Sequence, residues 1–383
     1  MNYSRIPLDH EPLYIHDRNI IFSNKNKILA EMLDSSYLAM VYTKMEEKED
    51  EFLPGLSSLT DLEIIYFFVH QETHDDEEKN RKKQTKKEYF RDLLQFYTFI
   101  HVQLQQDEVS SSLFPYIRKK HIRSYQEWLK NGAFQHRKQG YAIATRARKI
   151  TVVKSFLQFL YEEEVVEFPL QVAFKKSTVR RKDKPKRELT YEEVKSLLDY
   201  YKDHPINYAL LLLLATTGLR VQELAKASWR DLYYDPSIEG GTYFLKVIGK
   251  NNVERHAVIL QSTLESIQRF RKRRGLSTEI DVKSNSPLFT TNKGKAYGYK
   301  YLSQYVTRII QDTGFLWVRN KGPITPHFFR HFFVNYSVLT LGLPIEQVQK
   351  TVGHQSKTTT EGYVAETINK GMNAGLYWKK QIF

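Results

Sequence analysis

No cysteine occurs anywhere in the 383 residues. That removes disulfide frameworks, thiol nucleophiles and cysteine-ligated zinc, and fits a reducing compartment. Long apolar runs are also missing. The longest, Tyr208 to Ala215, falls far short of the ~20 residues that span a bilayer. The opening residues Met1 to Ile6 lack the apolar core of a signal peptide, so a cytoplasmic protein with no membrane partner is expected. With 17 Gly and 12 Pro the composition is neither collagen-like nor low-complexity, and no repeat of solenoid length is visible. The C-terminal half has no Asp/Glu cluster at metal-ligand spacing, and no cofactor is expected.

What the chain has in excess is positive charge. Lys and Arg number 58 against 44 Asp and Glu, a formal net charge of +14. A surplus of that size points to a polyanionic partner, and nucleic acid is the usual one. At 41% hydrophobic residues the chain can bury real cores, and a prior of ~150 residues per domain suggests two or three of them. Charge also divides the chain. Acidic stretches at 46–51 and 72–78 are followed by the basic Lys79 to Lys83. Residues 175–187 carry almost no apolar side chains and cannot pack a core, so they read as a basic strap of the kind that lies on phosphates. The expected organisation is an N-terminal extension over 1–55 of open structure, a helical domain over 56–174, the linker 175–187, and a second domain over 188–383.

Before the linker, helices are predicted over 59–70, 86–103, 121–131 and 145–163. In the last, Ile143, Ala147, Ile150, Val153, Phe156 and Leu160 recur every three or four positions, with Thr145 as a candidate N-cap. The opposite face is assigned Arg146, Arg148, Lys149 and Lys154. A solvated surface explains such a face, but the net charge and the neighbouring strap favour DNA contact. Lys175, Lys176, Arg180, Arg181 and Lys182 of the strap join the same candidate DNA-binding set.

After the linker, Thr190 and Glu193 form a capping-box signature. A buried helix over Asn207 to Thr217 should end at Gly218, a natural C′ residue. The β-rich runs 242–248 and 253–260, separated by Gly249 to Asn252, predict a hairpin. Thr325 and Pro326 predict the start of a further helix, which would place His327 and Arg330 on one face.

Taken singly, these motifs are ordinary. A His-x-x-Arg pair suits a solvated helix face, Lys250 suits an exposed turn, Arg220 and Glu223 suit a structural ion pair, and Tyr363 suits packing. Together, Arg220, Lys250, His327, Arg330, His354 and Tyr363 are the parts for cutting a phosphodiester without metal. Two guanidiniums offer planar donors to the non-bridging oxygens and stabilise the charge of the transition state. A histidine donates or takes up a proton, and a lysine can protonate the departing oxygen. Tyrosine supplies an oxygen nucleophile whose reference pKa of ~10 demands such help.

Four stretches carry a family resemblance: Thr217 to Leu224, Val247 to Arg255, Thr325 to His331, and Val352 to Tyr363. With them the chain resembles the tyrosine recombinases, the integrase family that includes phage integrases and Xer-type resolvases. The resemblance is strong over 188–370, weaker over about 56–175, and absent over 1–55. It implies a mainly α fold with a small β-sheet or hairpin, in which a helical core-binding domain and an α+β catalytic domain form a two-domain C-clamp on DNA. It further implies a site-specific recombinase of the integration or excision type, from a phage or other mobile element. Tyr363 would form a 3′-phosphotyrosyl link without ATP or metal, Arg220 and Arg330 would clamp the phosphate, and Lys250 would be general acid. His327 would assist the tyrosine proton, and His354 would donate to a phosphate oxygen. Glu223 would organise Arg220, and His331 would be structural. The implied partners are double-stranded DNA with specific sites, three further copies in a homo-tetramer on two DNA sites (a monomer or dimer off DNA), and an accessory protein. The tail over 364–383, with Leu376, Tyr377, Trp378 and Phe383, is long enough to dock on a neighbouring copy or in cis. Two other functions stay open at this stage: a DNA-binding regulator that keeps the fold without recombining, and a type IB-like topoisomerase. Asn251 departs from the family's glycine after the hairpin lysine, and Gly362 beside Tyr363 disfavours helix.

Overall fold

The computed structural model describes residues 25–104, 112–132, 139–180, 183, 187–238, 240–249 and 252–353. It is 61% helical with one three-stranded antiparallel sheet. The chain divides into two compact units, Met1–Pro185 and Lys186–Phe383.

Among the described residues the first unit is all helical: α1 (Lys25–Met32), α2 (Leu38–Asp50), α3 (Asp61–His70), α4 (Lys83–Leu104), α5 (Lys119–Asn131) and α6 (Ile143–Glu162). Helix α3 starts at a capping box, with the Glu63 amide donating to Thr60 Oγ1 and the Thr60 amide donating to Glu63 Oε2. Such reciprocity satisfies amides that would otherwise be orphaned. All ten residues of α3 are buried, the mark of a helix surrounded by others rather than lying on a surface. Aromatic side chains fill the space around it, with the Phe68 ring centroid 5.1 Å from that of Phe156 and the Tyr66 ring stacked 6.4 Å from that of Phe90.

Two findings differ from the sequence reading. Helices α1 and α2 occupy a region whose structure the sequence left open. Their Ile28, Met32, Val41 and Met45 join the same core, so the helical unit begins upstream of residue 56. Helix α6 starts at Ile143 with Ala142 at the N-cap position and no side-chain cap, so Thr145 lies inside the first turn and caps nothing.

The second unit opens with α7 (Tyr191–Tyr200), α8 (Pro205–Thr217) and α9 (Val221–Lys226). Strands β1 (Leu232–Asp235), β2 (Thr242–Ile248) and β3 (Glu254–Ile259) follow, then α10 (Gln261–Arg273), α11 (Tyr299–Asp312), α12 (Leu316–Lys321), α13 (Pro326–Asn335) and α14 (Ile345–Val352). Between α13 and α14 the chain makes a π-helical turn, Tyr336–Thr340. Helix α8 is the hub, with Leu210, Leu211, Leu213 and Leu214 fully buried. It ends where Gly218 turns left-handed at φ 59, a conformation glycine adopts at no steric cost.

The predicted hairpin is present. β2 and β3 pair antiparallel from Tyr243 with Ile259 to Ile248 with Glu254, and the Gly249 amide donates to the Val253 carbonyl at 2.8 Å. β3 alternates exposed and buried residues, which turns Arg255, Ala257 and Ile259 inward. The sequence reading missed β1, a four-residue strand on the free edge of β2. Among the described residues no helix is long and apolar enough to cross a membrane.

Candidate active site and nucleic-acid interface

Three of the six proposed catalytic residues are described, and two of them, Arg220 and Arg330, converge on the C-terminal end of α14. Arg220 is the N-cap residue of α9. Its amide donates to Glu223 Oε2 at 2.7 Å, and its Nη1 donates to Glu223 Oε1 at 2.9 Å. Its Nη2 reaches the Gly353 carbonyl at 3.3 Å. Arg330, on α13, is 1% exposed. Its Nη1 donates to the Gly218 carbonyl at 2.8 Å, and its Nη2 donates to the Val352 carbonyl. The left-handed turn after α8 thus aims a carbonyl at one arginine and leads two residues later to the other.

His327 lies one helical turn before Arg330 on α13. It faces His331 edge-on, with ring centroids 4.8 Å apart. Burial, and then the charges of Arg187, Arg330 and Arg220, push its pKa down to about 4. The imidazole is therefore neutral near pH 7. Arg220 and His327 open onto a cleft of about 470 Å³ whose other wall is the first turn of α11, with Tyr299 and Lys300. Lys250, His354 and Tyr363 lie outside the described residues, as do Asn251 and the tail residues Leu376, Tyr377, Trp378 and Phe383. The described chain stops at Gly249 and Gly353, the residues immediately before Lys250 and His354.

The sequence reading gave no role to Arg255. It is 8% exposed. Its Nη2 pairs with Glu223 Oε2, and its Nη1 donates to the Thr351 carbonyl at 2.9 Å. Burial raises the Glu223 carboxyl, but the hydrogen bonds and charge of Arg255, with the bonds from Arg220, outweigh it and hold that carboxyl below its usual range. The signal was present in the alternation of β3, where a charged residue occupies an inward position.

In the first unit, Arg146, Lys175, Lys176 and Arg180 line a single cleft of about 670 Å³. Arg123 and Lys130 line it as well. Their spacing of seven places them on one face of α5, a signal legible in the sequence but not used. The strap is fastened there by a reciprocal pair: Gln126 Nε2 donates to the Lys175 carbonyl at 2.8 Å, and the Lys175 amide donates to Gln126 Oε1 at 2.9 Å.

Three members of the predicted basic face are elsewhere. Lys149 is buried, with Nζ 2.6 Å from Asp92 Oδ1 and 2.7 Å from Gln95 Oε1. The reason is helical geometry: Lys149 lies three and four residues before Val152 and Val153, on the stripe that faces the core. Arg148 remains half-exposed but spends its guanidinium on Asp92, donating from Nη1 to Oδ2 and from Nη2 to Oδ1. Lys154 lies over the Phe174 ring at 5.9 Å. Arg181 and Lys182 lie outside the described residues.

Known proteins share this architecture. The model of the phage integrase family matches residues 187–370. The tyrosine recombinase XerC of Natranaerobius thermophilus is 27% identical over 295 residues, which cover 75% of this chain and 89% of that protein. The tyrosine recombinase XerD of Halalkalibacterium halodurans is 30% identical over 241 residues, 60% of this chain and 74% of that protein. The chain belongs to the tyrosine recombinase family. Solved tyrosine recombinases share its fold. A XerH site-specific recombinase in a post-cleavage complex with a palindromic difH substrate superposes with a TM-score of 0.58 at 18% identity, covering 76% of this chain and 80% of that one. A lambda integrase dimer bound to a COC′ core site gives 0.54 at 15% identity, covering 74% and 72%.

Proposed function

We propose that this tyrosine recombinase cuts and rejoins double-stranded DNA at specific sites through a 3′-phosphotyrosyl intermediate, in integration or excision of a mobile element. The observation that carries the reading is the convergence of Arg220, His327 and Arg330 beside the main chain that runs into His354. A phosphate entering the 470 Å³ cleft would meet the Arg220 guanidinium that lines it, and Arg330, buried on the Gly218 and Val352 carbonyls, would supply the second; their planar donors match its oxygens. Tyr363 Oη attacks the phosphorus and passes its proton toward the neutral His327. The 5′-oxygen leaves, taking a proton from Lys250, while His354 donates to a non-bridging oxygen. The new ester keeps the energy of the broken one, so a 5′-hydroxyl of a partner strand reverses the step and joins to it.

Two further elements belong to this reading. The cations of the N-terminal cleft hold the backbone of the same duplex, and the working assembly is a homo-tetramer on two DNA sites, with accessory proteins as further partners. The domains divide the labour accordingly: the helical unit, α1 and α2 included, binds together with the strap 175–187, and residues 188–383 cut.

The test is a nicked suicide substrate drawn from the protein's own genomic neighbourhood, run on a denaturing gel. Wild type should leave a covalent protein–DNA adduct, and Tyr363→Phe should bind the site without forming one. An adduct that persists in Tyr363→Phe misassigns the nucleophile. Tight site-specific binding by wild type with no adduct would mark a DNA-binding regulator. Relaxation of one plasmid without exchange between two sites would mark a topoisomerase.

A further inference from the structure

Three successive carbonyls end α14, and three arginines take one each: Arg255 takes Thr351, Arg330 takes Val352, and Arg220 takes Gly353. The last carbonyls of a helix have no partner within it, and they sit at the negative end of its dipole. Two of these arginines are the proposed phosphate clamps. The third, Arg255, has no part in the chemistry proposed above, yet it is bonded to the carboxylate that holds Arg220 and to the helix end that runs into His354. Its Nη2 holds Glu223, which in turn holds the amide and Nη1 of Arg220. A Cβ placed on Gly249, the residue before Lys250, would come within 3.3 Å of Glu223 Oε1. A Cβ placed on Gly353, the residue before His354, would come within 3.3 Å of Arg255 Cδ.

We propose that Arg255 is a positioning residue for strand cleavage. Through Glu223 it sets the direction of the Arg220 guanidinium, and through Thr351 it fixes the end of α14 against the hairpin. The inference rests on the recombinase reading. Glu223 accepts from both arginines. Without Arg255, its whole negative charge would draw on Arg220 and pull that guanidinium out of line with the phosphate. Lysine cannot replace Arg255, because one ammonium cannot span the carboxylate and the carbonyl as two fixed guanidinium nitrogens do.

The test measures single-turnover cleavage of the suicide substrate by full-length wild type, Arg255→Lys and Arg255→Gln. Circular dichroism and specific DNA binding serve as checks of folding. Cleavage should fall on the order of 100-fold, the loss typical of a misplaced reacting group, with site affinity unchanged. Two further readouts separate positioning from general damage. With a neutral methylphosphonate at the scissile position, the charge that Arg220 balances is gone, and the deficit of Arg255→Lys should largely disappear. In an Arg220→Ala background, Arg255→Lys should add little, since residues that act through one another are not additive. A folded Arg255→Lys that cleaves at the wild-type rate overturns the proposal. So does a deficit of the same size on the neutral linkage, or one that multiplies fully with Arg220→Ala. If both Arg255 variants lose fold and binding together, Arg255 serves the fold alone and the proposal fails. A wild-type protein that forms no adduct sinks the recombinase reading itself, a different result from any of these.

Discussion

Lys149 provides the sharpest test of how a basic helix divides its charges between core and DNA. Its ammonium and the Asp92 carboxylate are both nearly buried, at 9% and 1% side-chain exposure. Asp92→Asn keeps the shape but strands a buried cation, and breaking a buried pair from one side costs about 3 kcal/mol at the lower end of the usual range. Since every 1.4 kcal/mol is tenfold, backbone amides of α6 and α4 that exchange through local opening should exchange about 100-fold faster. Lys149→Met should cost under about 2 kcal/mol, because its stem is replaced by apolar volume and Arg148 still pairs with Asp92. The double variant Asp92→Asn with Lys149→Met has no stranded charge, and it should be more stable than Asp92→Asn alone. Hydrogen exchange read by mass spectrometry on the full-length protein measures all three. The companion measurement is DNA affinity against salt. Lys149→Met should leave that slope unchanged, because the ammonium touches no phosphate. A slope reduced by about 0.9, the signature of one lost phosphate contact, would refute the reasoning, as would a double variant no more stable than Asp92→Asn.

Arg146→Ala and Lys176→Ala, at the cleft of the first unit, should each lower the salt slope by about 0.9 while leaving melting nearly unchanged. His327 has a depressed pKa of about 4, so its contribution to stability is fully present above its unfolded value of ~6.5 and is lost as pH falls toward 4. Melting temperatures followed from pH 7 to pH 4 should show a steeper decline for wild type than for His327→Gln; parallel curves would refute this. Gly218→Ala places a Cβ 2.7 Å from the Phe333 ring at φ 59. It should destabilise by more than about 1 kcal/mol and slow cleavage by shifting the carbonyl that holds Arg330, effects that thermal melting and the adduct assay read separately.

Local signals carried well from sequence to structure. The Thr190 and Glu193 capping box, the stop at Gly218, the β2–β3 hairpin and the Pro326 helix start each depend on a few adjacent residues, and each is where the sequence places it. Signals that depend on distant partners did not carry. Lys149 and Arg148 look like surface cations until Asp92, 57 and 56 positions away, is brought beside them. Arg255 gains its meaning only from Glu223, 32 positions earlier, and Thr351, 96 positions later. Helix α1 has only eight residues, and α2, though thirteen long, buries only Val41 and Met45. They are held by burial against α3 and α4, a tertiary cause that no local periodicity announces. Strand β1 has only four residues, too few for an alternation to stand out.

The grip of the three arginines on Thr351, Val352 and Gly353 also bears on how this site can change. Its acceptors are main-chain atoms, which no side-chain substitution deletes. The exposed Thr351 can exchange its side chain for most others and still present its carbonyl to Arg255. Gly353 has less freedom, because its φ of 64 strains any residue that carries a side chain and a Cβ there would press on the Arg255 stem at 3.3 Å. Neighbouring positions on one helix end therefore face opposite tolerances. A saturation library across residues 349–353 would separate the two, with Thr351 broadly permissive and Gly353 nearly closed.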